Sequence, residues 1–88
     1  MTWTMITLPK DETDDFLNEA TRLGYQARHF LILAKERAPQ VPGPIEREVY
    51  ITRMHNGSKV GISFVGQEAM VWPALAVSAL KAGRFGPI

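Results

Sequence analysis

The stretch Arg47-Glu48-Val49-Tyr50-Ile51-Thr52-Arg53-Met54-His55-Asn56-Gly57-Ser58-Lys59-Val60-Gly61-Ile62-Ser63-Phe64-Val65 decides the fold. Two alternating segments flank Asn56-Gly57, and that dipeptide suits a type I′ turn because both central residues need positive φ. Folding about the turn sets His55 opposite Ser58, Arg53 opposite Val60, Ile51 opposite Ile62 and Val49 opposite Phe64. This face is mostly apolar. The other pairs Met54 with Lys59, Thr52 with Gly61, Tyr50 with Ser63 and Glu48 with Val65, so the hairpin has one core side and one wetter side.

Working outward, residues 3–8 are short, rich in threonine and apolar side chains and stopped by Pro9, which suits an edge strand. Asp11 or Thr13 is then placed to cap a helix whose apolar residues Phe16, Leu17, Ala20 and Leu23 recur at helical spacing, with Gly24 as its C-terminal stop. The apolar run Phe30-Leu31-Ile32-Leu33-Ala34, within residues 28–36, fits strand or helix by periodicity and is read as a buried strand. Three prolines and a glycine make 39–44 a loop. After the hairpin, Pro73 and Gly83 bracket a helix of about ten residues. Leu75, Ala79, Trp72, Ala76, Leu80 and Val77 spread over roughly 220° of its circumference, against the ≳ 100° that one packing face needs. The surplus predicts an interface with another chain at Trp72, Ala76 and Leu80, unless residues 84–88 fold back over it.

The chain has 88 residues, 45% of them hydrophobic and 22% charged, which suits one globular, soluble domain. It has no cysteine and no apolar run near the ~20 residues that span a bilayer, so a cytoplasmic protein without membrane attachment is expected. The net charge of +1 is unevenly spread. Through Gly24, two basic residues face five acidic ones, for −3; from Tyr25 onward eight face four, for +4. The later segment is the one suited to phosphate or an acidic surface.

Little in the chain points to catalysis. His29 and His55 have no cysteine or carboxylate at a metal-binding spacing, so no metal site is expected and both read as ordinary residues. Asp14 and Asp15 are adjacent on a helix and point apart. Gly57, Gly61 and Gly66 do not form a phosphate loop, and no cofactor motif is present.

Two resemblances bear on nucleic acid. Over residues 5–34, Ile6-Thr7-Leu8, Phe16, Ala20, Leu23-Gly24 and Ala34 in a second helix make the chain similar to the ribbon-helix-helix family of DNA-binding regulators. That resemblance implies that Trp3, Met5 and Thr7 face bases and that Arg28 contacts phosphate. Over residues 11–83, the order helix, three strands, helix, with Phe30 after Gly24, the proline loop, the Asn56-Gly57 turn and Ala79-Leu80, resembles a double-stranded RNA-binding domain. Where that family has a lysine cluster, this chain has Met70-Val71-Trp72.

The sequence therefore predicts a two-layer α+β domain spanning residues 1–88, in the order β-α-β-β-β-α, with an antiparallel sheet and both helices on one face. Its expected function is that of a small, non-catalytic binding or regulatory module acting on nucleic acid through Arg28, Tyr50, Arg53 and Lys59. The alternative is a protein-binding adaptor or inhibitor, homodimerisation included, acting through Trp72, Ala76 and Leu80.

Overall fold

A computed structural model describes residues 2–39 and 42–88. Gln40 and Val41, in the proline loop, lie outside the described residues. The chain forms β1 (Thr4–Ile6), α1 (Lys10–Arg22), a 3₁₀ turn (Ala27–His29), β2 (Phe30–Arg37), β3 (Glu46–His55), β4 (Ser58–Val65), a single helical turn α2 (Gln67–Met70) and α3 (Trp72–Lys81). The sheet is antiparallel in the order β1-β2-β3-β4, and the architecture is the expected α+β layout.

All eight expected hairpin pairs occur, from Glu48 with Val65 to His55 with Ser58. Asn56 (φ 51°) and Gly57 (φ 77°) supply the two left-handed residues of the turn. Strand β2 continues the ladder, with Phe30 opposite Arg53 and Arg37 opposite Glu46. A strand here rules out the second helix of the ribbon-helix-helix arrangement, and with it the major-groove placement of Trp3, Met5 and Thr7. The strand is also not buried on both faces: Ala34 points into the core, whereas Leu31 and Leu33 are 52% and 44% exposed. Alternation along β2 places them on the side away from the helices.

Helix α1 begins at Lys10 after Pro9, without the side-chain cap expected from Asp11 or Thr13. Its last turn closes as a Schellman motif, with Tyr25 N–H donating to Ala20 O and Gly24 N–H to Thr21 O. The same closure ends α3, where Arg84 N–H donates to Ala79 O and Gly83 N–H to Leu80 O. The two helices are tied together by Trp72 Nε1 donating to Glu12 Oε1 at 2.9 Å.

The core is an aromatic cluster between helices and sheet. Phe16 meets Phe30 edge-on at 5.3 Å and packs against Trp72 (5.9 Å) and Phe85 (6.1 Å), and Phe30 meets Phe85 at 5.5 Å. Phe85 belongs to the 84–88 segment, so the tail does fold back. Trp72, Ala76 and Leu80 are consequently buried within their own chain, which withdraws them as an interface. The wide apolar arc of α3 is occupied by α1, the core and this tail.

What holds the tail is Arg53. It follows Val49 and Ile51 on the core face of β3 and is only 4% exposed. Its Nη1 donates to the carbonyls of Phe85 (3.0 Å) and Pro87, and its guanidinium lies 4.7 Å from the Tyr25 ring centroid. Tyr25 in turn donates its hydroxyl to Gly86 O at 3.0 Å. Gly86 takes φ 86°, a conformation that L side chains rarely adopt, between these two grips. Replacing Arg53 with methionine removes two charge-assisted bonds and strands the tail carbonyls, so a loss of about 2–4 kcal/mol is expected. Urea denaturation followed by tryptophan fluorescence measures it.

Candidate anion-binding cleft

Continuing the β2–β3 register past Phe30 and Arg53 sets the 3₁₀ turn beside the end of β3. A cleft of about 480 Å³ opens between this turn and the hairpin tip. Arg28 and His29 line it from the turn, and His55 and Lys59 from the hairpin, with Gln26, Asn56 and Ser58 adding amide and hydroxyl groups. Its lining contains no aspartate or glutamate.

The His29 and His55 rings stack with centroids 4.8 Å apart, tilted by 39°. Asn56 Nδ2 is 3.1 Å from His55 Nε2, which fixes that ring at the tip. Nδ1 of His29 is buried and has no hydrogen-bond partner among the described residues. Desolvation, followed by the neighbouring His55, Arg28 and Arg53, pushes the pKa of His29 below its ordinary value. Burial and the neighbouring positive groups thus disfavour the charged form of this ring.

The basic residues of the later segment now separate into distinct sets. Lys35 pairs with Glu48, Arg37 with Glu46 and Arg47 with Glu36, all on the sheet. Arg53 is buried against the tail, so it is corrected from a surface contact to a structural clamp. Of the four expected nucleic-acid residues, only Arg28 and Lys59 share the cleft, and neither forms an ion pair among the described residues. Tyr50 stands on the open face of the sheet, away from them. Its hydroxyl donates to Glu48, which holds the phenol pKa above its usual value, and Lys35 Nζ lies 5.4 Å from its ring centroid.

Sequence reasoning set His29 and His55 aside for want of a cysteine or carboxylate at a metal-binding spacing, and their separation along the chain hides their contact. The missing signal was the β2–β3 register: once Phe30 faces Arg53, His29 must adjoin the strand end that carries His55. No metal-binding group of three or more histidine, cysteine, aspartate or glutamate side chains occurs among the described residues. The pair is therefore described by its charge. No protein-family profile, curated protein or solved structure matches the chain.

A histidine with a depressed folded-state pKa binds its proton first in the unfolded chain. Native stability should consequently fall as pH drops below the ordinary value of 6.5. His29→Gln removes this contribution, so the stability difference between about pH 7.5 and pH 5.5 should narrow in paired urea titrations. An unchanged difference would show that His29 titrates alike in both states.

Proposed function

We propose that this protein is a non-catalytic module that binds nucleic-acid phosphate at the hairpin-end cleft. The observation that carries the reading is the convergence of Arg28 and Lys59, two cations without an ion pair among the described residues, on a histidine pair whose cleft is lined by no carboxylate. Arginine offers a planar fork and lysine a mobile point charge, the two usual ways of holding a phosphate oxygen. Gln26, Asn56 and Ser58 add neutral hydrogen-bonding groups at the cleft wall. The same lining supports the non-catalytic half of the proposal, since no carboxylate stands beside either histidine to orient it or exchange a proton.

The size of the site bounds the affinity. Two fixed cations correspond to a salt slope of about −1.4 on a single strand, or about −1.8 on duplex DNA, so binding by one cleft is modest and fades at moderate salt. Protonation of His29 would steepen that slope at lower pH. The expected partner is thus a short flexible strand or an end, whose phosphate can enter a cleft of this volume, rather than a long tracked groove.

The double variant Arg28→Glu with Lys59→Glu should reduce binding of a fluorescent single-stranded oligonucleotide at low salt by at least about tenfold, or 1.4 kcal/mol. Lys81→Glu, a charge reversal outside the cleft, should change it little. Wild-type binding should also tighten from about pH 7.5 to pH 5.5 as His29 takes up a proton. Equal loss in both variants would assign the effect to overall charge and overturn the cleft. Inorganic phosphate binding as tightly as the oligonucleotide would reassign it to small anions.

A further inference from the structure

Both long helices pack on one side of the sheet, which leaves the other side without a covering helix or strand among the described residues. That open face carries Met5, Leu31, Leu33, Tyr50, Met54 and Val65, all between 38% and 61% exposed. Their combined exposed surface is roughly 500 Å², in the range where an apolar patch marks an interaction site. With Trp3 and the flanking charged side chains added, the face approaches the ~800 Å² per partner of a standard interface.

Its pattern identifies the occupant. Across the central strands, Leu33 stands beside Tyr50, Lys35 beside Glu48 and Arg37 beside Glu46. On this face of the two central strands the cations are therefore on β2 and the carboxylates on β3, while Lys59 stands beside Met54 on β4 at the turn end of the same face. A two-fold axis running along the strands, between β2 and β3, would lay Lys35 and Arg37 of one copy over Glu48 and Glu46 of a second. The same rotation would set Leu31 and Leu33 over Tyr50, Thr52 and Met54 of that copy. Gly61 and Ser63 on β4 leave low ground beside this ridge, and the two methionines can adjust their shape to it. Such a face complements itself, as an isologous interface requires.

We infer that the open sheet face is a homodimer interface, in which two sheets pack face to face at about 10 Å as the middle layers of a helix-sheet-sheet-helix sandwich.

Sedimentation of the full chain over a concentration series tests this. The expected limiting mass is twice 9.8 kDa. Leu33→Glu places a charge at the centre of the face while leaving the monomer core untouched, and a two-fold interface carries it twice. Self-association should therefore weaken by about 100-fold or more, with the circular dichroism spectrum unchanged. A second arm uses charge: Lys35→Glu with Arg37→Glu makes the row wholly acidic, and Glu46→Lys with Glu48→Lys makes it wholly basic. Each variant alone should be monomeric, and an equimolar mixture should form a heterodimer. A wild-type chain that stays monomeric up to sub-millimolar concentration overturns the inference. So does a dimer indifferent to Leu33→Glu and to both charge variants, which would place assembly at the β4 edge. Dimerisation of either charge variant alone would discard the proposed axis.

Discussion

The burial of one guanidinium organises much of this molecule. Alternation along β3 sends Arg53 to the same side as Val49 and Ile51, where an ordinary strand would place another aliphatic residue. A cation there must recover the hydration it loses, and no carboxylate is paired with it among the described residues. The available acceptors are the carbonyls of Phe85 and Pro87 and the π face of Tyr25, so the tail is drawn across the hairpin-end side of the core. That path packs Phe85 against both Phe16 and Phe30 and seats Ile88 against Gly24, where a Cβ would stand 3.2 Å from the Ile88 Cδ1. The last five residues thus act as a third packing element for a domain too small to have many.

This arrangement also determines where positive charge remains. The bases of β2 and β3 are answered by carboxylates at the end of the sheet remote from the turn, while Arg53 is consumed internally. Trp3 lies in the neutral region too, with Lys35 Nζ 4.7 Å and the Arg37 guanidinium 4.5 Å from its ring centroid. Aromatic rings already occupied by cations on a charge-balanced surface are poor platforms for a polyanion. The unanswered cations Arg28 and Lys59 sit at the opposite end, beside two histidines. A chain of net charge +1 can therefore present a locally cationic site without being basic overall.

How much of this was legible depended on the distance over which information had to travel. The hairpin register was readable because the φ requirement of Asn56-Gly57 and the period-two alternation are both local. The ends of the long helices were similarly marked by Gly24 and Gly83. Phe30 to Ala34 was harder, since Leu31 and Leu33 look like core residues while standing on the exposed face, and hydrophobicity does not reveal which side a strand buries. The arc of α3 left two solutions, cover by a partner or by the tail, and only the contact of Arg53 with residues 32 and 34 positions further on distinguishes them. The cleft was half legible. Arg28 and Lys59 followed from charge, but their meeting with the histidines required the pairing of two strands separated by a proline loop.

The two proposed surfaces constrain each other. A two-fold axis parallel to the strands keeps like ends together, so a dimer of this geometry would carry both cationic clefts at one end. An axis across the strands would put them at opposite ends instead. With the clefts side by side, a strand held in one would meet the other at high local concentration, and two modest sites could act as one of useful affinity without any new contact. Met54 lies where these surfaces join, lining the cleft while standing on the open face. A module with two fixed cations would gain more from such doubling than one with many, because its single-site salt slope is modest.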